Sequence, residues 1–348
     1  MPTRLVQVVA ACSLLFAGLG INTGCNRSAP RVVVYCALDR EFAEDILQDF
    51  TKRTGLEVVK RYDTEANKSV GLYEDLIREA GRPRCDVHWN NEILATIRLQ
   101  RQGIYAPYES PAALPYPNQF KAADHTWTAF AARARVLIVN TERAWIALPA
   151  SLTDLTDPAL KGRVAMAKPL FGTTATHAAC LFQAWGDAKA RAFFEKLKAN
   201  DVQIVAGNKQ VAVDVGAGRF DVGLTDTDDA LAEIDQKRPV IMVFPDRDAT
   251  PESGLGTLFI PNTVAMIKNC PNPDGAKKLI DYLLSPEVEA KLAQGESRQI
   301  PLNPQVKVDL PAVMQQARTA RPLPVDFSRA ADTWEESQRF LKDMFALR

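Results

Sequence analysis

The sequence predicts an α/β protein made of two doubly wound, mostly parallel sheets, on three observations. Short apolar runs alternate with stretches of helical spacing from Arg31 to Gln102, a Pro-rich passage from Pro107 to Pro117 interrupts the series, and the alternation resumes after Trp127. Alternating strands and helices fold as parallel sheets covered by helices. The 348 residues fit about two domains at roughly 100–200 residues each.

In the first unit, Arg31–Ala37 reads as a buried strand. Phe42, Ile46, Leu47 and Phe50 then give a helix closed by Gly55. Leu56–Val59 is a second strand, Ser69–Gly81 a second helix, Asp86–Trp89 a third strand and Glu92–Gln102 a third helix ending at Gly103. The second unit opens with the extended run Arg133–Asn140, and Leu152–Leu160 resembles a short helix. It continues with strand Val164–Met166, helices Ala175–Trp185 and Ala188–Asn200, strand Val202–Val205, a helix from Asn208 to Gly216 and strand Asp221–Leu224. Gly256–Ile260 and Thr263–Ile267 read as two further strands. Pro273–Leu284 is a helix, Ser285 caps another through Leu292, and two helical stretches follow Ala312.

The N-terminus has a different character. Arg4 precedes the apolar segment Leu5–Ile21, which is short for a membrane span, and small residues lead to Gly24-Cys25. This is an export signal over residues 1–24. Gly24-Cys25 resembles a bacterial lipoprotein cleavage site, with Cys25 as the lipidated residue, and an ordinary cleaved secretory signal is the rival reading. Both put the mature protein in the periplasm or on the outer face of the cell envelope. Cys36, Cys85, Cys180 and Cys270 show no CxxC or zinc spacing, and the first two fall at opposite ends of neighbouring parallel strands, so buried free thiols are expected. Basic and acidic residues balance at 42 each, which gives no net field for nucleic acid or an anionic membrane surface.

Two polar clusters fall where strands give way to helices, the edge at which such sheets bind ligands. Thr225-Asp226-Thr227-Asp228-Asp229 follows a short apolar run. Helix capping would use one or two of these side chains, and the remaining acids call for a cation. Gly172-Thr173-Thr174 opens a helix and offers N–H groups, two hydroxyls and the positive end of the dipole, an anion site. Asn208 opens another helix. No GxSxG, HExxH or GxxxxGK[ST] motif occurs.

The order of motifs resembles the extracytoplasmic solute-binding proteins of ABC importers, and within them the ferric-ion-binding branch. The resemblance is carried by Val34-Tyr35-Cys36-Ala37, Cys85–Asn90, Gly103–Tyr108, Ala134–Asn140, Asp154-Leu155, Ala276–Glu287 and Ile300–Pro304. It implies a two-lobed periplasmic-binding-protein fold, each lobe a doubly wound mostly parallel sheet, with hinge crossovers. Lobe one would take residues 31–127 plus 255–300, and lobe two 128–254 plus 301–348. It also implies that the protein is no enzyme and needs no cofactor, and that it works as a monomer with a permease and its ATPase, touching the membrane only through a lipid anchor.

In that family a tyrosine pair holds ferric ion at the position where this chain has Asp228-Asp229. A His and a Glu often assist from the first lobe, and the matching places here are Asp39 and Asn91, with Glu92 adjacent. Two cargoes remain open. One is Fe3+ or another hard metal with synergistic phosphate or carbonate, held by Asp39, Glu92, Asp226, Asp228 and Asp229, with Thr225 beside them as a ligand-binding residue and Thr173, Thr174 and Asn208 toward the anion. The other is a metal-free zwitterion such as an aminoalkylphosphonate, gripped by the same acids, with Tyr35, Trp89 and Asn90 lining the middle.

Overall fold

The computed structural model describes residues 30–63, 70–143, 147–250 and 254–345, so the signal and Cys25 lie outside the described residues. In chain order the first half runs β1 (Arg31–Cys36), α1 (Arg40–Thr54), β2 (Glu57–Tyr62), α2 (Gly71–Arg78), β3 (Val87–Asn90), α3 (Ile93–Arg101), β4 (Tyr105–Ala106) and β5 (Trp127–Asn140). Then come β6 (Val164–Ala167), α4 (Gly172–Trp185), α5 (Asp187–Ala199), β7 (Gln203–Val205), α6 (Asn208–Gly216), β8 (Val222–Asp226), α7 (Thr227–Asp235) and β9 (Val240–Val243). The chain closes with β10 (Phe259–Ile267), α8 (Pro273–Leu283), α9 (Pro286–Gln294), α10 (Ala312–Thr319), α11 (Phe327–Asp332) and α12 (Trp334–Met344).

Strand order is β2-β1-β3-β10-β5-β8-β6-β7, with β4 on β10 and β9 on β5. The β2-β1-β3 and β7-β6-β8 groups are parallel, as alternation predicts, whereas β10 and β5 run antiparallel to their neighbours. These two strands join the lobes. The first half of β5, Trp127–Ala134, pairs with β10, and Arg135–Val139 pairs with β8. Two strands were expected over 256–267, but β10 is one strand. Pro261 sits where the β5–β10 register shifts, a position at which its missing N–H costs no ladder bond.

Alternation along β1 sends Val32, Val34 and Cys36 to a core under α1, α8 and α9, and Tyr35 and Ala37 to the opposite core with α2 and α3. The second sheet has the same sandwich, with α6, α7 and α10 on one face and α4, α5 and α12 on the other. The segment expected to be one helix over 152–160 is two 3₁₀ turns, Leu152–Thr156 and Pro158–Leu160, because Pro158 cannot continue a helix. Cys36, Cys85, Cys180 and Cys270 are free thiols.

Candidate functional site

A cleft lies where the helix starts meet, lined by Asp39, Asn91, Arg133, Lys168, Phe171, Gly172, Thr173, Thr174, Asn208, Asp226, Asp228 and Asp229. Asp39 sits at the N-cap position of α1, without a side-chain capping bond, and Asn91 follows β3, so they come from the first sheet's side. Thr173 and Thr174 open α4, Asn208 opens α6, and Asp226 ends β8 immediately before α7. Four helix N-termini therefore converge on one space, each with the positive end of its dipole. Gly223 in β8 is required for this convergence, because a Cβ there would collide with Val211 of α6.

Two arginines of β5 organise the cleft. Arg135 is fully buried, and its Nη1 donates to Asp226 Oδ1 at 2.7 Å, Asn208 Oδ1 at 3.1 Å and Thr173 Oγ1 at 3.2 Å. Thr173 Oγ1 donates in turn to Asp226 Oδ2 at 2.5 Å, Asn208 Nδ2 donates to the same oxygen at 3.1 Å, and Thr174 Oγ1 donates to Asn208 Oδ1 at 2.9 Å. His177 lies behind this network, 3.4 Å from Arg135 Nε, and burial, reinforced by Arg135, holds its pKa well below the usual imidazole value. The polar side chains of the expected anion site thus spend part of their bonding on Arg135.

Arg133, two residues earlier and on the same face, is also buried. Its Nε lies 3.4 Å from Asp228 Oδ2, yet neither Nε nor Nη2 makes a hydrogen bond within the described residues. Burial would lower its pKa, but Asp228, Asp226, Asp39 and Asp229 outweigh that and raise it. A buried guanidinium with donors to spare is costly unless something fills them. Carboxylate oxygens of Asp226, Asp228 and Asp229 lie within 4.8 Å of one another, a spacing that could hold a metal ion. The cleft therefore offers both an oxyanion pole and a carboxylate pole.

Several expected residues are placed elsewhere. The Tyr35 hydroxyl donates to Glu79 at 2.8 Å, on the α2 face of the first sheet rather than in the cleft. Trp89 packs its ring against Phe130 in the core, because alternation along β3 turns it inward. Asn90 is buried and donates to the Glu92 carbonyl and Thr96 Oγ1. Glu92 caps α3, accepting from the Leu94 and Ala95 N–H groups at 2.8 Å each, and also accepts from Thr176 of α4 at 2.6 Å. Burial raises its pKa, against those three hydrogen bonds. Thr225 is fully buried behind the cleft lining, its hydroxyl within reach of the Asn208 carbonyl at 3.0 Å and Asp229 Oδ2 at 3.4 Å.

Arg133, Arg135, Lys168 and Phe171 were missed as site residues. A period-two pair of arginines in an otherwise apolar buried strand was the available signal for the first two, since such charges require buried partners.

A family model described as bacterial extracellular solute-binding protein matches residues 95–320. Among curated relatives, the chain is 25% identical to iron uptake protein A1 of Synechocystis, covering 72% of this chain and 70% of that one. It is 27% identical to a putative 2-aminoethylphosphonate-binding periplasmic protein of Salmonella paratyphi A, covering 70% and 69%. The crystal structure of apo ferric ion-binding protein A from Pasteurella haemolytica superposes with a TM-score of 0.79 at 22% identity, over 91% of this chain and 98% of that one. That last likeness confirms the two-lobed fold with crossover strands. With a matched model spanning most of the chain and a charged cleft between two sheets, this protein belongs to the bacterial extracellular solute-binding proteins.

Proposed function

We propose that the chain captures cargo for an ABC importer by closing two lobes, residues 31–127 plus 255–300 and 128–254 plus 301–348, over the cleft. A permease with its ATPase then recognises the closed form. A lipid on Cys25 would hold the protein at the envelope's outer face. The cargo is a hard metal ion, ferric ion foremost, carried with a synergistic oxyanion. One observation carries this reading: the Arg133 guanidinium, buried with Nε and Nη2 unsatisfied, faces a cleft that also holds Asp39, Asp226, Asp228 and Asp229. The oxyanion, phosphate or carbonate, would take the unsatisfied donors of Arg133, with Lys168 and the α4 and α6 starts lining the same space. Hard carboxylate oxygens of Asp228, Asp229 and Asp39 suit a hard cation. The relative named for iron uptake supports the same assignment.

The Arg133–Asp228 pair favours a second reading, a metal-free aminoalkylphosphonate whose phosphonate meets Arg133 and whose ammonium meets Asp228 and Asp229. The relative named for 2-aminoethylphosphonate supports it. Calorimetric titration separates the two. Tight binding of ferric ion that depends on added phosphate or carbonate is expected. Tight binding of 2-aminoethylphosphonate in the presence of a strong chelator, with none of ferric ion, would replace the metal reading by the second.

A further inference from the structure

Three chain segments cross between the two sheets side by side. They are β5, β10 and the stretch after α9, where Ile300 N–H and carbonyl pair with Ala132 at 2.7 and 2.8 Å. At this crossing Ala131 is the extra residue of the β5 bulge, between Phe130 paired with Asn262 and Ala132 paired with Pro261. Its φ is +42°, a left-handed conformation that a non-glycine residue adopts at a cost. A single carboxylate ties the crossing together. Glu289 of α9, 1% exposed, accepts from the Ala131 N–H at 2.6 Å, the Leu302 N–H at 3.0 Å and the Asn303 N–H at 2.8 Å. Asn262 of β10 donates to the Ala131 carbonyl and to Gln299 Oε1 at 2.7 Å, so the third segment is joined to the other two.

We infer that Glu289 is a positioning residue for lobe closure, fixing the Ala131 bulge in the geometry that the closed lobes require. In the arrangement seen here the two sides of the cleft touch. Glu92 on one side of the cleft accepts from Thr176 on the other, and Lys209 of α6 pairs with Glu41 of α1 at 3.5 Å. β5 is the strand whose two halves belong to different sheets, and the bulge already interrupts its ladder, so bending concentrates at Ala131. A left-handed alanine persists only where its surroundings over-determine it. Glu289 supplies that determination without approaching the cargo.

The inference rests on the reading that the lobes close over cargo. Small-angle X-ray scattering tests it, with the radius of gyration followed as ferric ion is added at fixed inorganic phosphate. For Glu289→Gln the concentration needed for half closure should rise by about tenfold, the loss of one hydrogen bond to a charged acceptor. The ligand-free variant should be more expanded than wild type. A variant that closes at the wild-type concentration, or is merely less stable to urea with an unchanged closure curve, overturns the inference. Ala131→Gly keeps the carboxylate and removes the left-handed cost, so it should close at a severalfold lower concentration. If Glu289→Gln does not fold, an unchanged or raised midpoint for Ala131→Gly overturns the proposal instead. A wild-type protein that never contracts with ferric ion, phosphate or 2-aminoethylphosphonate removes the closure reading, and this inference with it.

Discussion

Arg135 and Arg133 differ by two residues and by what each has been given. Arg135 is spent on structure, because every acceptor around it belongs to the protein, and so its replacement strands Asp226 as a buried charge. Arg135→Met should therefore destabilise by about 3–5 kcal/mol in urea unfolding, the usual cost of breaking one side of a buried pair. Arg133 keeps donors in reserve. Arg133→Gln should lower cargo affinity at least about tenfold in calorimetry, since a charge-assisted contact to an oxyanion is lost. Wild-type affinity in that variant would show that the oxyanion pole lies elsewhere. The sequence made the acids of Asp226–Asp229 and the Thr173-Thr174 turn visible, because their residue types are informative at a helix start. It hid the arginines, because Arg133 and Arg135 sit within an apolar strand, and only the fold shows that their common face looks into a cleft. Tyr35, Trp89 and Asn90 misled for the converse reason: they follow the right strands, but pleat and local hydrogen bonds turn them away.

At the level of single elements, the strands and helices up to α3 were legible to within a few residues, because each pairs a clear period with a turn signal such as Gly55 or Gly103. β9 and β4 were not, since Val240–Val243 is four residues without alternation and Tyr105–Ala106 is only two. Strand β3 carries a testable titration. Burial holds the His88 pKa down to about 3, and its Nδ1 lies 2.7 Å from the Tyr105 hydroxyl. Unfolded, that imidazole titrates near 6.5. The unfolded state therefore binds the extra proton first as pH falls. The His88 contribution is fully present above pH 6.5 and lost progressively toward pH 3. His88→Gln should flatten the acid limb of stability against pH over that window, and an unchanged limb would assign the acid loss to other groups. Helix α3 offers a second test. Glu92→Ala removes its cap and the bond from Thr176, and should cost about 1–2 kcal/mol in urea unfolding.

Across the whole molecule, the last two helices act as a clasp. α11 packs against both α3 and α4, and Thr333 donates to the Ala179 carbonyl at 3.1 Å. The Arg98 guanidinium lies 4.8 Å from the ring centres of both Tyr73 and Trp334, and Arg191 reaches Glu336 and the Phe340 ring. Trp334→Ala should cost about 1–3 kcal/mol through lost aromatic burial and cation–π contact, read as a lower midpoint in thermal unfolding. Nothing in periodicity assigned this tail to a place, because a helix that touches both lobes has the same pattern as one that touches either.

The order of strands has a consequence for how the chain reaches this state. β10 fills the position between β3 and β5, yet it is made long after both. As the polypeptide emerges from its N-terminus, β2-β1-β3 must wait with an open strand edge until residues 259–267 arrive. The intervening β6–β8 group has neighbours close in sequence and can assemble earlier. Distant pairings form late, and a waiting edge is exposed to wrong partners. Chaperone dependence during export should therefore track the first sheet, and chains cut before residue 259 should aggregate through it.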